Sequence, residues 1–97
     1  MLSEDVKIRY AGFEPSHDLK GALDILLSEL HLKSPHQSFI NVTFTLTNGL
    51  IEGVIGITSK TQNFVAKATD VHLSDVGHKL VEKLGEQLDK WKSLRCF

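Results

Sequence analysis

Residues 6–10 (Val-Lys-Ile-Arg-Tyr) alternate apolar with basic side chains, the period of two that predicts a half-buried strand. Residues 12–15, with Gly12 and Pro15, break that alternation. Ser16 follows as a helix N-cap, with Asp18 in the first turn where the helix dipole favours an acid. Leu19, Ala22, Leu23, Leu26, Leu27 and Leu30 then recur at helical spacing and form one apolar stripe. Ser34-Pro35 ends the helix, because proline cannot continue it and disfavours the helical conformation in the residue before it.

A second alternation covers residues 39–47. Ile40, Val42, Phe44 and Leu46 lie on one face, and Asn41, Thr43, Thr45 and Thr47 on the other. Asn48-Gly49 comes next, a dipeptide that tolerates positive φ at both positions and predicts a tight hairpin. Residues 50–59 return, with Gly53 and Gly56 suggesting a bulge or a bend. After a turn at 60–63, residues 64–69 predict a third consecutive antiparallel strand with Phe64, Ala66 and Ala68 facing one way. The last segment, 73–94, places Leu73, Gly77, Leu80, Leu84, Leu88 and Trp91 on one helical face. Gly77 and Gly85 each cost about 1 kcal/mol of helix propensity, so each marks either a close approach or simple tolerance. The order β-α-β-β-β-α predicts an α+β two-layer sandwich: a four-stranded sheet, both helices on one face, and the other face exposed and threonine-rich.

Ninety-seven residues, 41% hydrophobic and 24% charged, match one small soluble domain covering 1–97, with room for one core and no deep internal cavity. No apolar run approaches the length of a membrane span, and the acidic start (Met-Leu-Ser-Glu-Asp) has no secretory character, so the expectation is a cytoplasmic protein. A lone Cys96 excludes an intramolecular disulfide and reads as a free thiol near the chain end. There is no phosphate-binding glycine loop, nucleophile elbow or HExxH motif, so neither an enzyme nor a cofactor is expected. His72, Asp75 and His78 are the closest approach to a metal-ligand cluster, but their spacing fits solvated side chains better, and no metal is expected.

Charge adds the functional hint. The net charge is −1, yet residues 79–97 carry five basic and three acidic side chains. Lys79, Lys83, Glu86 and Lys90 fall at i, i+4, i+7 and i+11, a strip expected on the solvent side, with Lys92 and Arg95 beyond it. A lysine row can follow a phosphate backbone. Equally, Asp75 with Lys79 and Glu86 with Lys90 form i, i+4 pairs that support an isolated helix. Tyr10 and Phe39 are the aromatics expected to face outward.

Order, spacing and local sequence together resemble a known family. Phe64-Val-Ala-Lys-Ala, followed by Leu80-Val-Glu-Lys-Leu-Gly-Glu-Gln-Leu-Asp-Lys-Trp-Lys92, resembles the end of the short ribosome hibernation promoting factors, the ribosome-associated inhibitor or sigma-54 modulation protein family. Lys83, Leu84, Gln87, Leu88, Lys90 and Lys92 match that family's helix pattern, and Ser16, Leu19 and Lys20 match its first helix. The resemblance runs from Val6 to about Lys92 and implies the same β-α-β-β-β-α fold, similar to a double-stranded-RNA-binding domain. It also implies binding to the small ribosomal subunit and its rRNA in the mRNA and tRNA channel. Translation would then be inhibited by occlusion, with Lys20, Lys83, Lys90 and Lys92 on phosphates. The helical row adds Lys79 and Arg95. Ribosome dimerisation, if the protein takes part in it, would need a separate partner factor. The sequence departs from the family's basic pattern at Leu26, Glu86 and Asp89, and has His72-Leu73-Ser74 where many members have Asp-Met-Tyr. Those acids and the threonine-rich sheet face support the alternative: a chain of this fold that binds a protein partner or forms a homodimer.

Overall fold

A computed structural model describes residues 5–35, 37–60 and 62–95; Cys96 and residues 1–4 lie outside it. The elements follow in the order β1 (Val6–Ala11), α1 (His17–Lys33), β2 (Phe39–Thr47), β3 (Leu50–Thr58), β4 (Asn63–Asp70) and α2 (Leu73–Arg95). Every strand alternates buried with exposed positions, as its sequence does. The sheet order is β1-β2-β3-β4. β1 runs parallel to β2, which requires a crossover, and α1 supplies it. The pairs β2–β3 and β3–β4 are antiparallel.

Local chemistry sets the boundaries. The Ser16 hydroxyl accepts the Leu19 backbone N–H at 3.2 Å and caps the start of α1. Ser34 leaves the helical region at φ −80° and ψ 163°. Its own hydroxyl donates to the Leu30 carbonyl at 2.9 Å, satisfying an otherwise orphaned group at the helix end. Asn48 and Gly49 have φ of 52° and 79°, the twist a two-residue hairpin needs.

Both helices cover one face of the sheet. Leu23, Leu27 and Leu30 from α1, and Val76, Leu80, Leu84 and Leu88 from α2, pack on Ile40, Val42, Phe44, Ile55 and Ile57. Each such side chain contributes roughly 1.5–3 kcal/mol through burial. The β2–β3 register runs unbroken from Phe39↔Thr58 to Thr47↔Leu50, so neither Gly53 nor Gly56 is a bulge. Gly53 lies under α2, where an added Cβ would sit 2.6 Å from Val76 Cγ1 and 2.7 Å from Leu80 Cδ1. Its missing side chain lets helix and sheet close together. Gly77 has a comparable role between the helices, with Leu23 Cδ2 2.7 Å from the position of its absent Cβ, whereas nothing lies within 4 Å of that position at Gly85.

Tyr10 corrects an expectation. It points into the helix-covered side, stacked on Phe44 at 5.7 Å and edge-on to Phe13 at 5.8 Å. Its even-numbered place in β1 puts it with Val6 and Ile8 rather than with the outward-facing Lys7 and Arg9. Phe39 is 53% exposed, as its sequence position suggests.

Candidate nucleic-acid interface

The buried positions of α2, at 73, 76, 80, 84 and 88, define the direction of the core. At 100° per residue, Lys79, Lys83 and Lys90 fall on one flank of that stripe rather than opposite it. The expected solvent strip is therefore a flank turned toward the free edge of β4. Lys79 donates to the Thr69 carbonyl at 3.4 Å, Lys83 to the Lys67 carbonyl at 2.6 Å, and the Gln87 amide to the Val65 carbonyl at 2.9 Å. One side chain per helical turn thus takes each successive outward carbonyl of an edge strand, which would otherwise be open for pairing. Gln87 belongs to this ladder although charge reasoning passes over it. Its i+4 spacing from Lys83 is the signal that could have included it.

Lys79 has a second tie, an ion pair with Asp70 at 2.8 Å. That hydrogen bond, with the Val71 N–H at 2.6 Å, holds the Asp70 carboxyl below its usual range and raises Lys79. The expected Asp75–Lys79 ion pair gives way to Asp70, which the end of β4 brings closer than the neighbouring turn of α2 can. Glu86 and Lys90 likewise form no ion pair within 4 Å, since the described pairs are those of Lys20, Lys67 and Lys79. Lys20 pairs with Glu14, with its ammonium 5.8 Å from the Tyr10 ring centre.

Lys83, Lys90, Glu86 and Gln87 line an open groove of about 350 Å³ against Val65 and Ala66. Lys90 and Lys92 are exposed beyond the ladder. Arg95 is the last residue of α2. The structure therefore brings Lys79, Lys83 and Lys90 onto one flank. Lys20 stands apart on α1, and Lys92 lies about 180° around α2 from Lys83 at 100° per residue. The opposite crest of α2 is acidic, with exposed Asp75, Glu82 and Asp89 seven residues apart.

The uncovered sheet face presents Lys7, Arg9 and Ala11 from β1, with Asn41, Thr43 and Thr45 beside them on β2. Glu52 and Val54 lie on β3, and Val65, Lys67 and Thr69 on β4. Lys67 reaches Glu52 at 3.5 Å. Among the described residues no group of three or more His, Cys, Asp or Glu side chains could hold a metal ion. None of the described helices is long and apolar enough to cross a membrane.

The fold is shared with solved structures. The N-terminal domain of Protein Y from Thermus thermophilus superposes with a TM-score of 0.77 at 14% identity, over 94% of this chain and 99% of that one. A ribosomal subunit interface protein from Coxiella burnetii gives 0.73 at 20% identity, over 91% of this chain and 97% of that one. No protein-family model and no curated protein sequence matches the chain. The fold implied by the sequence resemblance is thus the fold of both structures.

Proposed function

We propose that this protein binds the ribosome and acts by occlusion rather than by chemistry, on the small subunit and its rRNA. One observation carries the reading: a fold shared over at least nine-tenths of the chain with a protein named for the ribosomal subunit interface. That fold is joined to a helix whose Lys83, Lys90 and Lys92 stand where the resemblance places phosphate contacts. The protein is then a binding factor of the cytoplasm, not an enzyme. Of its six proposed phosphate contacts, Lys90 and Lys92 are the readiest, because neither is tied to the strand or to a carboxylate. Lys83 would exchange a carbonyl for a phosphate. Lys20 and Lys79 would first have to leave Glu14 and Asp70, and Arg95 extends the row by sequence position. Any ribosome dimerisation would need a separate factor.

Co-sedimentation with small ribosomal subunits from about 50 to 200 mM salt tests this reading, since phosphate contacts impose a steep salt dependence. The expected result is salt-sensitive pelleting that Lys83→Glu with Lys90→Glu abolishes. A wild-type protein that stays in the supernatant at low salt would overturn it.

A second reading has its own support. Ile25 and Leu32 are 64% and 85% exposed on the outer side of α1, beside Asp24 and Glu29, a surface suited to a protein partner or a second copy.

A further inference from the structure

One face of this molecule carries an excess of positive charge. The helices carry their acids and bases in balance, three acids and two bases on α1 and four acids and five bases on α2. Among the described residues, the sheet face carries Lys7, Arg9 and Lys67 against one carboxylate, that of Glu52. In a chain of net charge −1, that concentrates positive charge on the layer without helices.

The register shows how the face is built. Arg9, Thr43, Val54 and Lys67 form one continuous row across all four strands. The row ends in cations at both edges, three strand spacings or about 14 Å apart. The adjacent row is Lys7, Asn41, Gly56 and Val65. Gly56 makes a notch there: an added Cβ would meet only the Phe64 carbonyl, at 3.9 Å. Packing does not demand a glycine at that position, and a strand-interior glycine without a packing reason marks a place where another backbone can approach. Threonine hydroxyls and an asparagine amide line the floor, while Phe39 at the sheet end is the exposed aromatic. Such a surface can donate to phosphate and ribose oxygens but has little with which to stack bases.

We infer that the open sheet face is an RNA-backbone contact surface, read by charge and shape, with Lys7 and Arg9 at one edge and Lys67 at the other. The inference rests on the ribosomal reading above and extends it from the flank of α2 to the other side of the β4 edge. An RNA strand on both surfaces would pass around β4 and meet Lys83 and Lys90 on the flank and Lys67 on the face. The acidic crest of α2 would point away from it.

The test measures binding of full-length protein to small ribosomal subunits, and to protein-free small-subunit rRNA, across a salt series. Two variants, Lys7→Gln with Arg9→Gln and Lys67→Gln alone, lie on different edge strands, so a folding failure in one leaves the other informative. Thermal melts confirm that each is folded. At about 0.9 of slope per phosphate, as for duplex DNA, the double variant should flatten the salt dependence by about 1.8 and weaken binding about 60-fold at 0.1 M salt. Lys67→Gln should flatten it by about half as much. Wild-type binding with unchanged slopes in both variants would overturn the sheet-face inference and leave the ribosomal reading standing. Absence of wild-type binding would overturn both. Weakened binding to subunits but not to protein-free rRNA would mean that the face meets a ribosomal protein, and would overturn the RNA assignment.

Discussion

Replacing Gly53 with alanine tests how closely α2 is seated on the sheet. The new Cβ would stand 2.6 Å from Val76 Cγ1, 2.7 Å from Leu80 Cδ1 and 3.1 Å from Phe44 Cε1. Carbon atoms pack best at about 3.5–4.0 Å, so about 1 Å must be recovered. Little can give way: Val76 and Leu80 are fully buried, and a β-branched side chain in a helix has essentially one rotamer. Overpacking of this kind costs about 1–3 kcal/mol. Alanine also stiffens the unfolded chain, which offsets about 0.4–1 kcal/mol. Gly56 supplies the internal control, because it lies on the same strand but the opposite face and has room for a methyl group. Gly56→Ala should therefore be neutral or stabilising by about 0.4–1 kcal/mol. The difference between the two variants isolates the packing cost, read as a separation of about 1–3 kcal/mol in urea denaturation with unchanged m-values. In thermal melts the separation should exceed about 4 °C for a chain of this size. Equal stability of the two variants would refute the close seating of α2 on β3.

Removing the edge ladder with Lys83→Ala and Gln87→Ala deletes two side-chain bonds to β4 carbonyls, and urea denaturation should show a loss of about 1–2 kcal/mol. The same variant should self-associate more readily in light scattering, because the edge it uncovers can pair with another strand. Tyr10, the single tyrosine, should titrate at about 12, raised by burial first and by the Asp24 and Glu14 charges next, in an ultraviolet pH titration. Its neutral form is favoured in the fold, so its contribution to stability is complete below the ordinary value near 10 and is lost as pH rises toward 12. Asp70 has the opposite sign: its pair with Lys79 stabilises above the usual aspartate range and is lost as pH falls through the lowered value. Thermal melts of Asp70→Asn should lack that part of the acid dependence.

Element order and boundaries were legible in the sequence because they rest on local signals. The two strand alternations, the Ser16 cap, Ser34-Pro35 and Asn48-Gly49 each act within a few residues, and the structure keeps each of them. What was not legible depends on distant contacts. The two glycines of β3 look alike in sequence, but one lies under Val76 and Leu80 and the other on the open face. The lysines of α2 were visible as a row, and their angle to the apolar stripe could have placed them on a flank. Which element that flank meets is fixed only when β4 comes to lie beside it. Asp70 replaces Asp75 as the partner of Lys79 for the same reason: the nearer residue in sequence is not the nearer one in space. At the candidate site, Lys7 and Arg9 were seen as strand residues; their link with Lys67 appears only through the register of four strands.

The ladder between α2 and β4 also has a built-in length limit. Four helical residues advance about 6.0 Å, while two strand residues advance about 6.6–6.8 Å. Each rung therefore falls behind its carbonyl by about 0.6–0.8 Å, like a vernier running out of step. Long, flexible lysine and glutamine side chains absorb that drift over the three rungs from Lys79 to Gln87. The fourth place in the series is Trp91, whose ring stands edge-on to Phe64 at 6.0 Å. Past that point α2 is released from the strand's spacing. Lys90 and Lys92 flank the point of release, so the mismatch in pitch separates lysines that hold the fold together from lysines left to meet something else.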